Sequence, residues 1–134
     1  MIAADRNGAL VRAAFDAWAA GHGSFFDLLA EDASWTISGS TAGSGEWRGR
    51  QAYLDDVVSP LFERLAAPTV PERIELLAEG DQVVVRWRQD TPLKASGFYR
   101  NDYAWFLTMK DGRVAAVTAF LDLPAYAAAL RGRP

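Results

Sequence analysis

Tyr99-Arg-Asn-Asp-Tyr-Ala-Trp-Phe-Leu-Thr-Met-Lys-Asp-Gly-Arg-Val114 alternates side chains for twelve residues, turns at Asp-Gly and begins to alternate again. That is the pattern of a long β-strand entering a hairpin. Working back from it, Gln82 to Leu93 alternates in the same way and meets the first strand through a turn near Lys94-Ala95-Ser96. Charges set the register of this pair. Matching 88 with 102 and 90 with 100 places Arg88 opposite Asp102 and Asp90 opposite Arg100, whereas a two-residue shift would oppose Arg88 to Arg100. The chosen register stacks Val85 on Trp105, Trp87 on Tyr103 and Gln89 on Asn101, with Tyr99, Leu107 and Met109 continuing the same face. This face is apolar with a polar end.

Working forward, Lys110-Asp111-Gly112-Arg113 permits two hairpin loops that differ by one residue in register. A three-residue loop with Gly112 left-handed puts Ala115, Val117, Ala119 and Leu121 beside the tryptophans. A two-residue loop puts Val114, Ala116, Thr118 and Phe120 there. We expect the first, in which the small residues Ala115 and Ala119 leave room near large aromatics. Strands are thus expected over 72–79, 82–93, 97–110 and 113–122.

The N-terminal half is helical. Leu10, Val11, Ala14, Phe15 and Trp18 form one face of a helix over 5–20, which Gly21 and Gly23 terminate. Ser24 with Asp27 has the spacing of a reciprocal cap and predicts a short second helix that contributes Phe25, Phe26, Leu28 and Leu29 and ends in Glu31-Asp32. Ser34 to Ser38 reads as a strand, and Gly39 to Gly45 as a flexible loop whose glycines do not form a phosphate cradle. Leu54, Val57, Val58, Leu61, Phe62 and Leu65 give a third helix over 50–65, bent at Pro60. Asp122 and Pro124 cap a last helix, Leu123 to Leu130. Helices first and strands afterwards indicate an α+β domain with an antiparallel sheet, and 134 residues allow one domain, 1–134.

Composition narrows the function. A net charge of −3 offers no basic surface for nucleic acid. The absence of cysteine removes thiol catalysis, disulfides and thiolate metal sites, and the single histidine, His22, cannot assemble the usual zinc sets. His22, between two glycines after a helix, is expected to be a solvated loop residue. No apolar run reaches membrane-spanning length and the N-terminus is not of export type, so the chain reads as cytoplasmic, without a membrane partner.

The order of elements, with Phe26-Asp-Leu-Leu-Ala-Glu-Asp-Ala-Ser-Trp35, Gly45-Glu-Trp-Arg-Gly-Arg50 and the Tyr99–Val114 run into Phe120-Leu-Asp122, resembles the nuclear transport factor 2-like superfamily, most closely its SnoaL-like, ketosteroid-isomerase-like branch. The resemblance implies a conical barrel: a curved, mixed, mostly antiparallel sheet wrapped around three N-terminal helices, closed by a short C-terminal helix. It also implies a deep apolar pocket and a homodimer joined through the outer sheet faces. The superfamily includes isomerases, cyclases, hydrolases and non-enzymes, so fold alone does not assign an activity. Ketosteroid isomerases use a carboxylate base with a tyrosine and a protonated aspartate. The matching positions hold Ile37, Ala14 and either Trp105 or Tyr103. Limonene-type epoxide hydrolases use an Asp-Arg-Asp set with a tyrosine and an asparagine, and those places hold Ala119, Trp87, Gln89, Trp35 and Ile37. A register error of one residue would turn Arg86, Arg88 and Thr118 inward instead.

The expected pocket is therefore lined by Ala14, Trp18, Trp35, Ile37, Val85, Trp87, Gln89, Tyr99, Trp105 and Ala119, with Tyr103 and Asn101 as the candidate catalytic pair. These polar groups either face a ligand oxygen or hydrogen-bond one another, and the tryptophans either box a flat ligand or simply pack. Asp122 is expected to be a helix cap, Glu31 and Asp32 to diverge, and Asp55 and Asp56 to be solvated. The expected function is a cofactor-independent acid/base enzyme, of isomerase, cyclase or hydrolase type, on an apolar cyclic or aromatic molecule. The alternatives are a binding protein for such a ligand and a module whose core is filled by its own tryptophans. Phe106 and Phe120, among the charged residues of the outer sheet face, are expected to pair two copies of the chain.

Overall fold

The computed structural model describes residues 2–131. Met1 and residues 132–134 of the expected 1–134 domain lie outside the described residues. Helix α1, Ala3–Ala19, buries Asn7, Val11, Phe15 and Trp18 at three- and four-residue spacing. It packs on strands β3 (Glu72–Glu79) and β4 (Gln82–Pro92). Asn7 Nδ2 donates to the Gly80 carbonyl at 3.2 Å, tying the helix to the turn between those strands.

The second helix is shorter than its pattern suggests. Ser24 Oγ accepts from the Phe26 N–H and Asp27 Oδ2 from the Ser24 N–H, each at 3.0 Å, so the reciprocal cap is present. It opens a single 3₁₀ turn, Phe25–Leu28, after which strand β1 runs over Leu29–Ile37. Strand β1 thus starts five residues before the expected strand. Its early half pairs irregularly with β6 (Arg113–Phe120), with a register shift between Leu29 and Ser34. The end of the glycine-rich loop is also a strand: β2, Gly45–Arg48, pairs antiparallel with β1, Trp47 opposite Trp35.

The third helix changes its winding along its length, and its last turn ends at Phe62, short of the expected residue 65. Helix α2 (Arg50–Tyr53) passes into a π-helical turn at Leu54–Val58 and then into α3 (Ser59–Phe62). The Ser59 N–H reaches back to the Leu54 carbonyl, one residue beyond α-helical spacing. Pro60 has no N–H and its ring crowds the carbonyl four residues earlier, so a widened turn just before it removes the conflict.

Strands β5 (Phe98–Lys110) and β6 (Arg113–Phe120) precede helix α4 (Leu123–Arg131) and complete a six-stranded sheet of order β2-β1-β6-β5-β4-β3. Only β1 and β6 run parallel; every other pairing is antiparallel. The sheet curves around the helices to make the α+β cone.

The β4–β5 register is the one the charges select, Arg88 opposite Asp102 and Asp90 opposite Arg100. The ion pairs do not simply follow it. Asp90 bonds Arg100 at 3.1 Å, but Asp102 takes the diagonal Arg86 at 2.8 Å. Arg86 and Arg88 point outward, so no register error brings them into the cone.

The β5–β6 hairpin corrects the loop choice. Lys110 pairs with Arg113 across a two-residue turn, Asp111 and Gly112, both with positive φ (52° and 78°). A bulge follows at once: Met109 pairs with Val114 and Thr108 with Ala116, leaving Ala115 as the extra residue. Val114 therefore points inward before the bulge, and Val117 and Ala119 after it. The expected inner residues beyond Ala115 hold, through a bulge instead of a longer loop.

Candidate functional site

The concave face of the sheet and the overlying helices enclose a cluster of aromatic rings. Trp87 stacks on Tyr103 with centroids 4.2 Å apart and planes 11° apart, as the cross-strand register requires. Trp35 of β1 stacks on Tyr53 of α2 at 4.0 Å and 14°. Trp105 meets both tryptophans edge-on, Trp35 at 4.9 Å and Trp87 at 5.0 Å. Phe15 from α1 and Phe25 and Phe26 from the 3₁₀ turn close the cluster from above. The space left between these rings is a cavity of about 40 Å³, room for a few water molecules.

Eight of the expected pocket residues border this cavity: Trp18, Trp35, Ile37, Trp87, Gln89, Tyr103, Trp105 and Ala119. Ala14, Val85, Tyr99 and Asn101 do not. Val85 is wholly buried and Ala14 half-buried against the core. Tyr99 lies behind Tyr103, and Asn101 borders a polar groove with Arg88, Asp102 and Asp122. The sequence reading missed Tyr53, Thr69 and Tyr126, which also line the cavity. Tyr53 was legible, being four residues before Val57 on the apolar stripe. Thr69, between two prolines, carries no periodic signal.

The candidate polar groups form one chain of hydrogen bonds. Asn101 Nδ2 donates to the Tyr99 hydroxyl at 2.9 Å, and the Tyr99 and Tyr103 hydroxyls are 2.7 Å apart. Tyr103 donates to Gln89 Oε1 at 3.1 Å, so Tyr99 must be the donor to Tyr103. Gln89 Nε2 then donates to Thr69 and Thr91, at 2.8 and 3.1 Å. Asn101 also holds the start of α4: its Nδ2 donates to the Asp122 carbonyl and its Oδ1 accepts from the Asp122 N–H. The Tyr103 proton is committed within this chain, and Asn101 acts at a junction of the backbone.

Ionisable groups are kept away or kept neutral. Among the described residues, no Asp, Glu, His, Lys or Arg borders the cavity. Burial pushes the Tyr53 and Tyr103 phenols well above their ordinary value, and burial raises Tyr99 despite hydrogen bonds from its neighbours that pull it back. Asp122 accepts from the Ala125 N–H at 3.2 Å as the cap of α4. His22 is exposed, as are Glu31, Asp32, Asp55 and Asp56, and Asp55 accepts from Gln51.

Two donors stand out. The indole N–H groups of Trp35 and Trp87 are fully buried and find no acceptor among the described residues. The hydroxyls of Tyr53 and Tyr126 likewise make no hydrogen bond to another described residue.

Comparison with known proteins places this architecture. No curated protein matches the chain. Among solved structures, an NTF2-like protein from Burkholderia xenovorans superposes with a TM-score of 0.71 at 24% identity, over 97% of this chain and 99% of that one. A protein from a soil-derived mobile gene cassette gives 0.73 at 22% identity, covering 92% and 95% of the two chains. A protein named as a candidate polyketide cyclase from Xanthomonas campestris gives 0.73 at 18% identity, covering 95% and 98%. At these identities the likeness is one of fold. The family model of the SnoaL-like domain matches residues 11–117, and with the helix-lined cone already traced over that span, the chain belongs to the SnoaL-like family of the NTF2-like superfamily.

Proposed function

We propose that the cone binds a small, flat, apolar molecule, cyclic or aromatic, and that its side chains supply recognition without a resident acid or base. The observation that carries this reading is the cavity lining: aromatic and aliphatic groups with a few neutral donors and, among the described residues, no side chain that ionises near neutral pH. Tyrosines held protonated by burial act as donors and not as bases. A binding protein of this fold is therefore favoured over an acid/base enzyme.

The second reading, a cofactor-independent isomerase, cyclase or hydrolase, draws on relatives named as a candidate polyketide cyclase and a candidate isomerase. One observation favours it: the Tyr53 hydroxyl borders the cavity without a hydrogen-bond partner among the described residues. It is free to polarise a carbonyl oxygen.

Admission of a ligand requires a side chain to move, because about 40 Å³ is far below the size of a drug-sized pocket. Phe62 is the side chain placed to do so. It is 39% exposed and borders both the cavity and two surface grooves beside α3.

Tryptophan fluorescence titrated with aromatic polyketides, steroids, terpenoid epoxides and small lactones tests the reading, since Trp35, Trp87 and Trp105 all line the cavity. Saturable quenching without turnover supports a binder. Turnover that Tyr53→Phe abolishes while affinity is kept would establish the enzyme instead. No response from any class refutes both.

We also propose that two copies pair through the outer face of the sheet. Phe106 and Phe120 are 46% and 44% exposed there, with rings 5.7 Å apart. The Arg86–Asp102 and Arg100–Asp90 pairs give the surrounding face charges of both signs. Such a patch suits a two-fold contact with itself.

A further inference from the structure

We infer that the ligand of this cavity carries oxygen acceptors, as an aromatic carbonyl compound does, and that the Trp35 and Trp87 indole N–H groups are the donors that read them. The inference rests on the binding reading above and narrows its ligand class. A buried N–H without an acceptor is costly, and native cores leave few of them. Here two occur, on residues 2% exposed, and both residues line the same cavity.

Their setting argues for purpose. Each indole is clamped face to face by a tyrosine, Trp35 by Tyr53 and Trp87 by Tyr103, so its plane and the direction of its N–H are fixed. Strand order puts the two on either side of β5, whose Trp105 lies edge-on to both. Of the other polar groups lining the cavity, Tyr103 donates to Gln89 and Gln89 donates to Thr69, so their protons are committed within the protein. The donors left for a ligand are thus the two indoles and the Thr69, Tyr53 and Tyr126 hydroxyls, none of them charged. Such a set suits a neutral oxygen such as a ketone, quinone or lactone carbonyl. It does not suit a carboxylate or phosphate, which calls for a cation.

The test compares 1-tetralone with tetralin, which have the same bicyclic skeleton with and without the carbonyl. In a pocket without donors the hydrocarbon binds more tightly, because the ketone gives up its hydrogen bonds to water. With preset donors the order reverses, and we expect tetralone to bind about tenfold more tightly. In ¹⁵N-labelled protein the Trp35 and Trp87 indole N–H resonances should move downfield with tetralone and not with tetralin. Trp35→Phe and Trp87→Phe should each reduce the preference for the ketone. The wild-type comparison and its spectra stand even if a variant fails to fold. Tetralin binding as tightly as tetralone or more so, with unmoved indole resonances, overturns this inference and leaves the apolar-pocket reading intact. Failure of both compounds to bind overturns the two together.

Discussion

Raising the pH should unfold this protein through its tyrosines. Tyr53, Tyr99 and Tyr103 all have phenols raised above the ordinary value of 10.0, with burial as the first cause. A raised native pKa means that the native state keeps its proton when the unfolded chain has lost it. The contribution to stability is therefore complete below pH 10 and falls as the pH climbs towards the native values. At pH 11 each unfolded phenol is about 90% ionised, which favours unfolding by on the order of 4 kcal/mol for the three together. Tyr126, raised by burial but pulled back by Arg64, adds less. A domain of this size is stable by only about 5–15 kcal/mol, so a large share is removed in one pH unit. The chain has just two lysines, Lys94 and Lys110, both exposed, which leaves the tyrosines to dominate the window. Phenolate absorbance near 295 nm and far-UV circular dichroism, followed together from pH 8 to 12, give the assay. Phenolate should be absent while native dichroism persists, then appear in one step with its loss. Tyrosine ionisation centred near pH 10 in protein that keeps its native dichroism would refute the reasoning, because it would mean that water reaches these phenols.

Asn101→Ala should cost about 2–3 kcal/mol in urea unfolding, because it strips partners from the Asp122 and Asp102 amides at the β5–α4 junction and from Tyr99. Ligand affinity should change little, since Asn101 does not border the cavity. Phe62→Ala should raise the stopped-flow association rate of any ligand that quenches tryptophan fluorescence; an unchanged rate would place the entrance elsewhere. Phe106→Glu should yield monomers on size-exclusion chromatography with an unchanged melting temperature at high dilution. A dimer that survives this change sinks the proposed interface.

Residues that alternate or repeat were legible in the sequence, and residues placed by an irregularity were not. Trp87, Tyr103, Trp105 and Val85 follow from alternation plus the charge argument, and their register is as expected. Arg88 stands opposite Asp102 as expected, while the ion pair that Asp102 forms is with the diagonal Arg86. Asp111-Gly112 signals a turn, but the bulge at Ala115 has no local mark: alanine suits either face, and only the need to bury both Val114 and Val117 demands the extra residue. Strand β1 was read too short because Glu31 and Asp32 resemble a helix end, whereas in the fold they lie exposed where pairing with β6 is irregular. Candidate site residues divide the same way. Alternation put Tyr99 and Asn101 on the inner face, yet it does not show how far along the cone the cavity extends.

Ile37, Tyr103 and Trp105 all border the cavity, and their bulk has a second effect besides supplying no carboxylate. Large side chains now occupy the volume that a ligand would need. The remaining 40 Å³ destabilises the core by about 1 kcal/mol at most, taking the cost per unit volume found for engineered cavities. The unliganded protein consequently has little strain for a ligand to relieve. A bound molecule must instead displace Phe62 or part a stacked pair, giving up apolar contacts before it makes its own. What offsets that loss has to be an interaction absent from the empty cone, and the unmatched indole donors of Trp35 and Trp87, two residues of the cavity lining, are such a reserve. Affinity in this protein should therefore follow the oxygen atoms of the ligand more closely than its apolar area. That ordering is the reverse of the one that an open hydrophobic cone would show.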